Sequence, residues 1–233
     1  MVPDLTQRNR KAEWMDAPDA DPRLVAKSLR YIRWINRLFR YTHATITHLE
    51  RFSRNWKPGE RITIVDLATG SADIPRAILK WADRHRFDVR VVGLDRHPTI
   101  SREALARHHD PRLTIVRGDA LDVPFAGKSF DYVLTNMFTH HLDDAVVVVL
   151  LKQMDRIARR GIIVADLERD RWAYRWISLF TLLANPMVRH DARVSVAQAF
   201  TRDEVLALRE RAGISYAQYQ SHFAHRFVLA GEK

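Results

Sequence analysis

Cysteine is absent from the 233 residues, which excludes disulfide cross-links, thiolate zinc sites and thiol nucleophiles together. Glycine is scarce at 8 residues and proline at 9, so collagen-like and low-complexity classes fall away too. Acid is the minority charge: 28 Asp and Glu stand against 38 Lys and Arg, a formal net charge of +10. Lysine occurs only at positions 11, 27, 57, 80, 128, 152 and 233, so the positive surplus is almost entirely arginine. Much of it lies beside acids, as in Asp83-Arg84, Arg102-Glu103 and Arg209-Glu210-Arg211. That reads as solvated helix faces, whereas nucleic-acid binders concentrate charge in a stripe with stacking aromatics. The densest basic group is Arg30, Arg33, Arg37 and Arg40. No run approaches the roughly 18 apolar residues of a membrane span, and MVPDLTQRNRKAEWMD lacks the apolar core of a signal peptide. The expectation is a cytoplasmic protein with no membrane span.

What is present is a hydrophobic fraction of 46% arranged with two periods. Leu24, Leu29, Ile32, Ile35, Leu38, Phe39, Ile46 and Leu49 recur at helical spacing, giving one long helix or two broken near residues 41–44. From there β-branched runs at 61–67, 89–95, 113–116, 130–135 and 161–166 alternate with helical patterns at 73–86, 98–109 and 143–159. Such alternation implies an α/β fold with a doubly wound, mostly parallel sheet. The rhythm then breaks. A helix at 172–184 precedes Asn185-Pro186 and an irregular stretch at 187–200, and Thr201 with Glu204 has capping-box spacing for a helix at 202–212. Final strands at 214–220 and 225–230 pair antiparallel. The expected organisation is an N-terminal arm and helical cap over 1–58, then a domain over 59–233 with a lid insertion after the fifth strand at about 170–200.

In an open parallel sheet, ligands collect at the carboxyl ends of the strands. Here the first strand ends in Asp66-Leu67-Ala68-Thr69-Gly70-Ser71-Ala72-Asp73, a small-residue turn that lets a ligand approach backbone N–H groups at a helix start. The second ends in Asp95-Arg96, the third in Gly118-Asp119-Ala120, the fourth in Asn136. A full G-x-G-x-x-G of the dehydrogenase type is missing.

These residues resemble the class I S-adenosylmethionine-dependent methyltransferases, particularly the ubiquinone- and menaquinone-biosynthesis branch. The likeness runs from about Ile62 to Asp166 and includes Leu121-Asp122-Val123-Pro124-Phe125, Ser129-Phe130-Asp131 and His140-His141. It departs from the family at Ala68 and Ala72, where glycines are usual. It implies a seven-stranded Rossmann-like fold and S-adenosylmethionine held by Asp66, Ala68, Thr69, Gly70, Asp73, Asp95, Arg96, Gly118, Asp119, Ala120 and Asn136. Within that set, Asp95 is placed on the ribose, Asp119 near the adenine amino group, and the Ala120 N–H on the adenine ring.

Methyl transfer from a sulfonium needs an aligned acceptor and, for oxygen or carbon, removal of a proton. Thr135-Asn136-Met137-Phe138 contains no Pro-Pro-Tyr, which speaks against an exocyclic base amine. Candidate bases are His140, His141 and His190, the last beside Asp191, since imidazole titrates near about 6.5 and a carboxylate raises that. Tyr31, Trp34, Phe138 and Arg193 are candidate acceptor contacts. Tyr174, Trp172, Trp176 and Phe180 form a second aromatic set at helical spacing. The expected activity is O-methylation of a small aromatic hydroxyl compound with a histidine base. The alternatives are C-methylation of a quinone or activated carbon, RNA methylation, or a binding module without catalysis. No metal is expected, because His85, His108-His109 and His140-His141 lack i, i+4 spacing or an acidic third ligand.

Overall fold

The computed structural model describes residues 3–17, 19–39, 41–107 and 109–233; Pro18, Arg40 and His108 lie outside them. Two helices come first, α1 (Pro22–Leu38) and α2 (Tyr41–Phe52). The sheet region follows as β1 (Arg61–Leu67), α3 (Asp73–His85), β2 (Asp88–Asp95), α4 (Pro98–Arg107), β3 (Leu113–Arg117), β4 (Phe130–Asn136), α5 (Asp144–Ile157) and β5 (Ala158–Leu167). Then come α6 (Arg171–Phe180), α7 (Pro186–Gln198), α8 (Arg202–Ala212), β6 (Gln218–His222) and β7 (Arg226–Glu232). The seven strands form one sheet in the order β3-β2-β1-β4-β5-β7-β6. All neighbours are parallel except that β7 runs antiparallel to both β5 and β6.

The strand order reverses between β1 and β4, and burial explains why the central strands read as apolar runs. Ile62, Ile64, Val65, Leu67, Val133 and Leu134 have no exposed surface, as expected for strands covered on both faces. One face carries a core with Leu150, Met154, Leu208 and Ile214, supplied by α5 and by α8 with the residues just after it. The other carries Leu49, Phe52, Ile78 and Trp81 from α2 and α3. Phe52 stacks on Tyr132 of β4 at 5.3 Å, which fixes α2 on the sheet.

Caps decide several boundaries. Thr201 and Glu204 complete the capping box of α8, and Gly213 closes it at φ 74°. The stretch expected to be irregular at 187–200 is instead α7: the Asn185 side chain accepts from the Val188 N–H, with Pro186 at the first helical position. Proline there lacks only an N–H that no helix would bond, so it suits the start of a helix. The last strand pair is antiparallel as expected, but β6 begins at Gln218 because Ile214 and Ala217 are consumed by the core.

The N-terminal arm is fastened by arginines. Arg169, 5% exposed, donates to the carbonyls of Leu5 and Ala199 and to both oxygens of Glu204. Arg8 donates to Asp144 and to the carbonyls of His140, Leu142 and Gln198. Replacing Arg169 by Leu leaves the carbonyls and Glu204 without their donor, and urea unfolding is expected to show a loss of about 2–4 kcal/mol.

Candidate active site

After β1 the chain turns into α3 through three left-handed residues at alternate positions, Ala68 (φ 56°), Gly70 (φ 57°) and Ala72 (φ 58°). Only glycine adopts that region freely; each alanine costs roughly 1–2 kcal/mol. The turn is held because Thr69 N–H donates to the Leu94 carbonyl at 3.0 Å and Gly70 N–H donates to Asp95 Oδ2 at 2.9 Å. It lies directly on β2, where a Cβ on Gly93 would come within 2.8 Å of Thr69. Around Gly70 the space is open, with no atom within 4 Å of an added Cβ.

Asp66 is 1% exposed. Its oxygens accept from Thr69 Oγ1 at 2.7 Å and Asn136 Nδ2 at 3.0 Å, and Asn136 in turn accepts from Thr45 Oγ1 of α2 at 2.6 Å. Burial pushes this carboxyl up to about 7; the two hydrogen bonds oppose that and the negative charge of Asp95 adds to it. Asp95, 8% exposed, also accepts from the His97 N–H at 2.9 Å, and its own carbonyl takes the Gly118 N–H at 3.1 Å. Asp119 accepts from the Leu121 N–H at 2.9 Å, and Ala120 is buried. The structure thus links Asp66, Thr69, Gly70, Asp95, Gly118 and Asn136 through one hydrogen-bonded edge. Asp73 stands aside, accepting from Ser71 and pairing with Arg76, and Arg96 is exposed. Tyr41 of α2 lies within electrostatic reach of Asp66 and Asp166, with the Arg226 guanidinium 5.0 Å from its ring. Its hydroxyl is buried and has no partner among the described residues, and burial with the charges of Asp166 and Asp66 raises its pKa well above the ordinary value.

A second cluster follows β4. His140 Nδ1 lies 2.6 Å from Asp166 Oδ1 at the end of β5, and Asp166 Oδ2 accepts from Thr139 Oγ1 and the His140 N–H. His140 Nε2 is 3.9 Å from Glu13 Oε1, His141 Nδ1 is 4.0 Å from the same oxygen, and the two imidazoles lie 4.1 Å apart. Burial disfavours a charged His140, yet the Asp166 carboxylate outweighs it and holds the ring above its usual pKa. Burial and the neighbouring His140 lower His141. Both histidines line a cleft of about 390 Å³ with Asn9, Arg10, Asp143 and Gln198. The fold therefore supplies an acidic third ligand that sequence spacing did not show: ligand atoms of Glu13, His140 and His141 lie within 4.8 Å of one another and could hold a cation.

His190 and Asp191 sit on α7, not in a loop. Asp191 is 2% exposed and accepts from the backbone N–H groups of Trp14 and Met15, while His190 stacks on Trp14 at 4.0 Å. Asp191 thus anchors the arm. His190 and Arg193 line a separate cleft of about 490 Å³ with Tyr174 and Arg189. Tyr31 donates to the Phe180 carbonyl, Trp34 is 54% exposed, and Phe138 packs on the core. Sequence reasoning missed Glu13, Thr45 and Asp166, and gave Tyr41 no role. Asp166 carried a signal, being a strand-end acid in the same position as Asp66 and Asp95. Glu13 carried none.

Between pH 4 and 7 native Asp66 keeps a proton that the unfolded chain has lost, so its contribution to stability is full at acid pH and falls as pH rises through 7. Asp66→Asn is expected to flatten this decline in denaturant titrations and to be more stable than wild type at pH 8 by roughly 1–3 kcal/mol.

Residues 64–161 match a Methyltransferase domain model. Among known proteins the chain is similar to demethylmenaquinone methyltransferase of Roseiflexus sp. (strain RS-1), 34% identical over 107 residues, covering 46% of this chain and 42% of that one. It is also similar to 2-phytyl-1,4-naphtoquinone methyltransferase of Synechococcus elongatus, 29% identical over 129 residues and 52% of each. The chain spans about half the length of these relatives. Among solved structures, plantazolicin methyltransferase BpumL in complex with S-adenosylhomocysteine aligns with a TM-score of 0.70 over 94% of this chain and 92% of that one at 11% identity; likeness at that level concerns the fold. The chain thus has the fold of the solved methyltransferase structures and is similar, over residues 64–161, to a methyltransferase domain, with its sequence likeness on the menaquinone-type branch.

Proposed function

We propose that the chain transfers the methyl group of S-adenosylmethionine to a reduced quinone ring, at carbon in preference to oxygen. The observation that carries this reading is the strand-end edge itself. A buried carboxyl at Asp66 is raised to about 7 and held by two uncharged donors, Gly70 of the same turn has open space around it, and the Tyr41 hydroxyl within electrostatic reach of Asp66 has no partner among the described residues. Those features fit the cofactor: a cationic ligand ionises Asp66, and its polar groups give Tyr41 a partner. When bound, the cofactor supplies an electrophilic methyl on a positively charged sulfur. Asp95 retains free lone pairs beyond its two backbone bonds to receive ribose hydroxyls, and Asp119 with Ala120 forms the neighbouring wall. The relatives act, by name, on demethylmenaquinone and 2-phytyl-1,4-naphtoquinone, which supports a quinone-class acceptor and ring carbon as the methylated atom.

His140 is the proton acceptor in this reading. Asp166 fixes its ring through Nδ1 and leaves Nε2 turned to Glu13, in a residue that lines the cleft. Removing the hydroxyl proton of a hydroquinone makes both its oxygen and its ring carbons nucleophilic, so one base serves either outcome. Oxygen methylation is the second reading, favoured by that same dyad.

Incubation with isotopically labelled S-adenosylmethionine and a reduced naphthoquinone is expected to give a singly methylated product whose new methyl is on carbon by NMR; label on oxygen selects the second reading, and no label on any hydroquinone or phenol overturns the first and second alike. S-adenosylhomocysteine at a hundred times its Kd is expected to stabilise the protein by about 2.7 kcal/mol in a thermal melt, and Asp95→Ala to abolish the shift. Because Asp166 raises His140, kcat is expected to climb with pH through a midpoint above about 6.5. Asp166→Asn should move that midpoint down and lower the plateau, and His140→Ala should cost about 10²–10⁴ in kcat.

A further inference from the structure

Helices α1 and α6 carry an unpartnered apolar surface. Trp172, Trp176 and Leu179 follow one another at helical spacing on α6, Leu183 continues just past its end, and Trp34 and Leu38 repeat at i, i+4 on α1. Each is at least half exposed, with Leu183 at 96%. The two sets join through Phe180, which takes the edge of Phe39 at 4.9 Å, stacks near Trp176 at 5.8 Å, and accepts the Tyr31 hydroxyl bond through its carbonyl at 2.7 Å. Scattered exposed apolar residues are ordinary, but a contiguous stripe marks an interaction surface.

Past the acids that precede each helix, Asp21 before α1 and the N-cap Asp170 before α6, the charge along both segments has one sign. From residue 22 to residue 49 the sequence holds Arg23, Lys27, Arg30, Arg33, Arg37 and Arg40 and not one Asp or Glu; from 171 to 190 it holds Arg171, Arg175 and Arg189 and again no acid. Elsewhere many arginines stand beside carboxylates, as in Asp83-Arg84 and Arg209-Glu210-Arg211, although residues 211–231 also lack acid. Arg171 and Arg175 flank the stripe on α6, exposed, and the Arg175 guanidinium lies 4.9 Å from the Trp172 ring. A short helix with tryptophan and leucine on one face and arginine at its border is built to lie in the headgroup region of a bilayer, with apolar side chains among acyl chains and guanidinium groups on phosphates. Single-stranded nucleic acid would meet the same charge and stack on the tryptophans, but Leu38, Leu179 and Leu183 suit acyl chains and offer bases no stacking face.

We propose that the surface formed by α6 and the adjoining part of α1 docks on an anionic lipid bilayer. The docking uses neither the cofactor nor the acceptor, so it stands or falls apart from the methyl-transfer reading. No helix among the described residues is long and apolar enough to cross a membrane, and the contact is an in-plane one.

The full chain should co-sediment with vesicles of phosphatidylglycerol mixed with phosphatidylcholine, and tryptophan emission should shift to the blue. Vesicles of phosphatidylcholine alone should capture much less, and added salt should weaken the binding. The triple variant Trp172→Ser, Trp176→Ser, Leu179→Ser changes only exposed side chains; with an unaltered circular-dichroism spectrum it should bind at least about tenfold more weakly. Arg171→Glu with Arg175→Glu should lose the preference for anionic vesicles. Failure of the wild type to sediment overturns the proposal, as does vesicle binding that the triple variant retains. Binding to polyuridylate RNA with no vesicle binding assigns the basic surplus to nucleic acid and overturns it as well. A dimer that the triple variant dissociates, again without vesicle binding, assigns the stripe to a second copy of the chain.

Discussion

A carboxyl group with almost no water and no opposite charge in hydrogen-bond contact organises the sheet edge. Asp66 ends a strand buried on both faces, and its partners, Thr69 and Asn136, are neutral. Hydrogen bonds from neutral groups recover only part of the solvation that an ionised carboxylate loses on burial, so the group holds its proton up to about pH 7. The two partners are also the two structural joints of the edge. Thr69 sets the turn that carries Gly70 over β2. Asn136 ends β4 and, through Thr45, ties α2 across the sheet. Disturbing Asp66 therefore reaches the turn, the fourth strand and the covering helix together.

The second constraint comes from residues 3–17. Arg8 and Arg169 spend most of their donors on backbone carbonyls, which pair well with buried guanidinium groups because each carbonyl is fixed in position. Asp191 answers from α7 by taking two backbone N–H groups. The arm so pinned delivers Glu13 to His140 and His141. Its carboxylate is buried at 8% exposure and accepts from Ser195, so the cleft beside the two histidines is partly built by a segment that sequence reading assigned to a polar arm.

The sheet was legible because its signals are local. Five β-branched runs alternating with helical patterns specify parallel strands, and strand-end acids fall at the carboxyl edge whatever the details of the helices. The Thr201 cap was legible for the same reason: its mechanism spans three residues. Ala68 and Ala72 stand out because they occupy left-handed positions that glycine fills at lower cost, and the φ values bear this out. Contacts between distant segments were not legible. Glu13 meets His140 across more than a hundred residues, and nothing in a polar arm announces that. The helix after Pro186 was not legible because proline both breaks helices and begins them, and only the Asn185 cap before it separates the two. The pairing of Asp191 with His190 was read from adjacency; both are bonded, but the carboxylate serves mainly the arm.

A net charge of +10 and an uncompensated acid at the sheet edge look contradictory until their places are compared. Exposed arginines lie in high dielectric behind a screening length of about 8 Å in physiological salt, so a surplus on the outer faces of α1 and α6 hardly reaches a carboxyl buried beside β4. None of the influences that set Asp66 is an arginine: burial, two neutral donors and Asp95 account for it. The two charge systems are thus independent. One leaves at the sheet edge a carboxyl that ionises when a sulfonium cation arrives; the other keeps an apolar outer face positive enough to meet an anionic surface. Neutralising the outer arginines would leave the inner edge as it is, and a fold that separates the two in this way can present one face to a membrane while it holds a positively charged ligand at another.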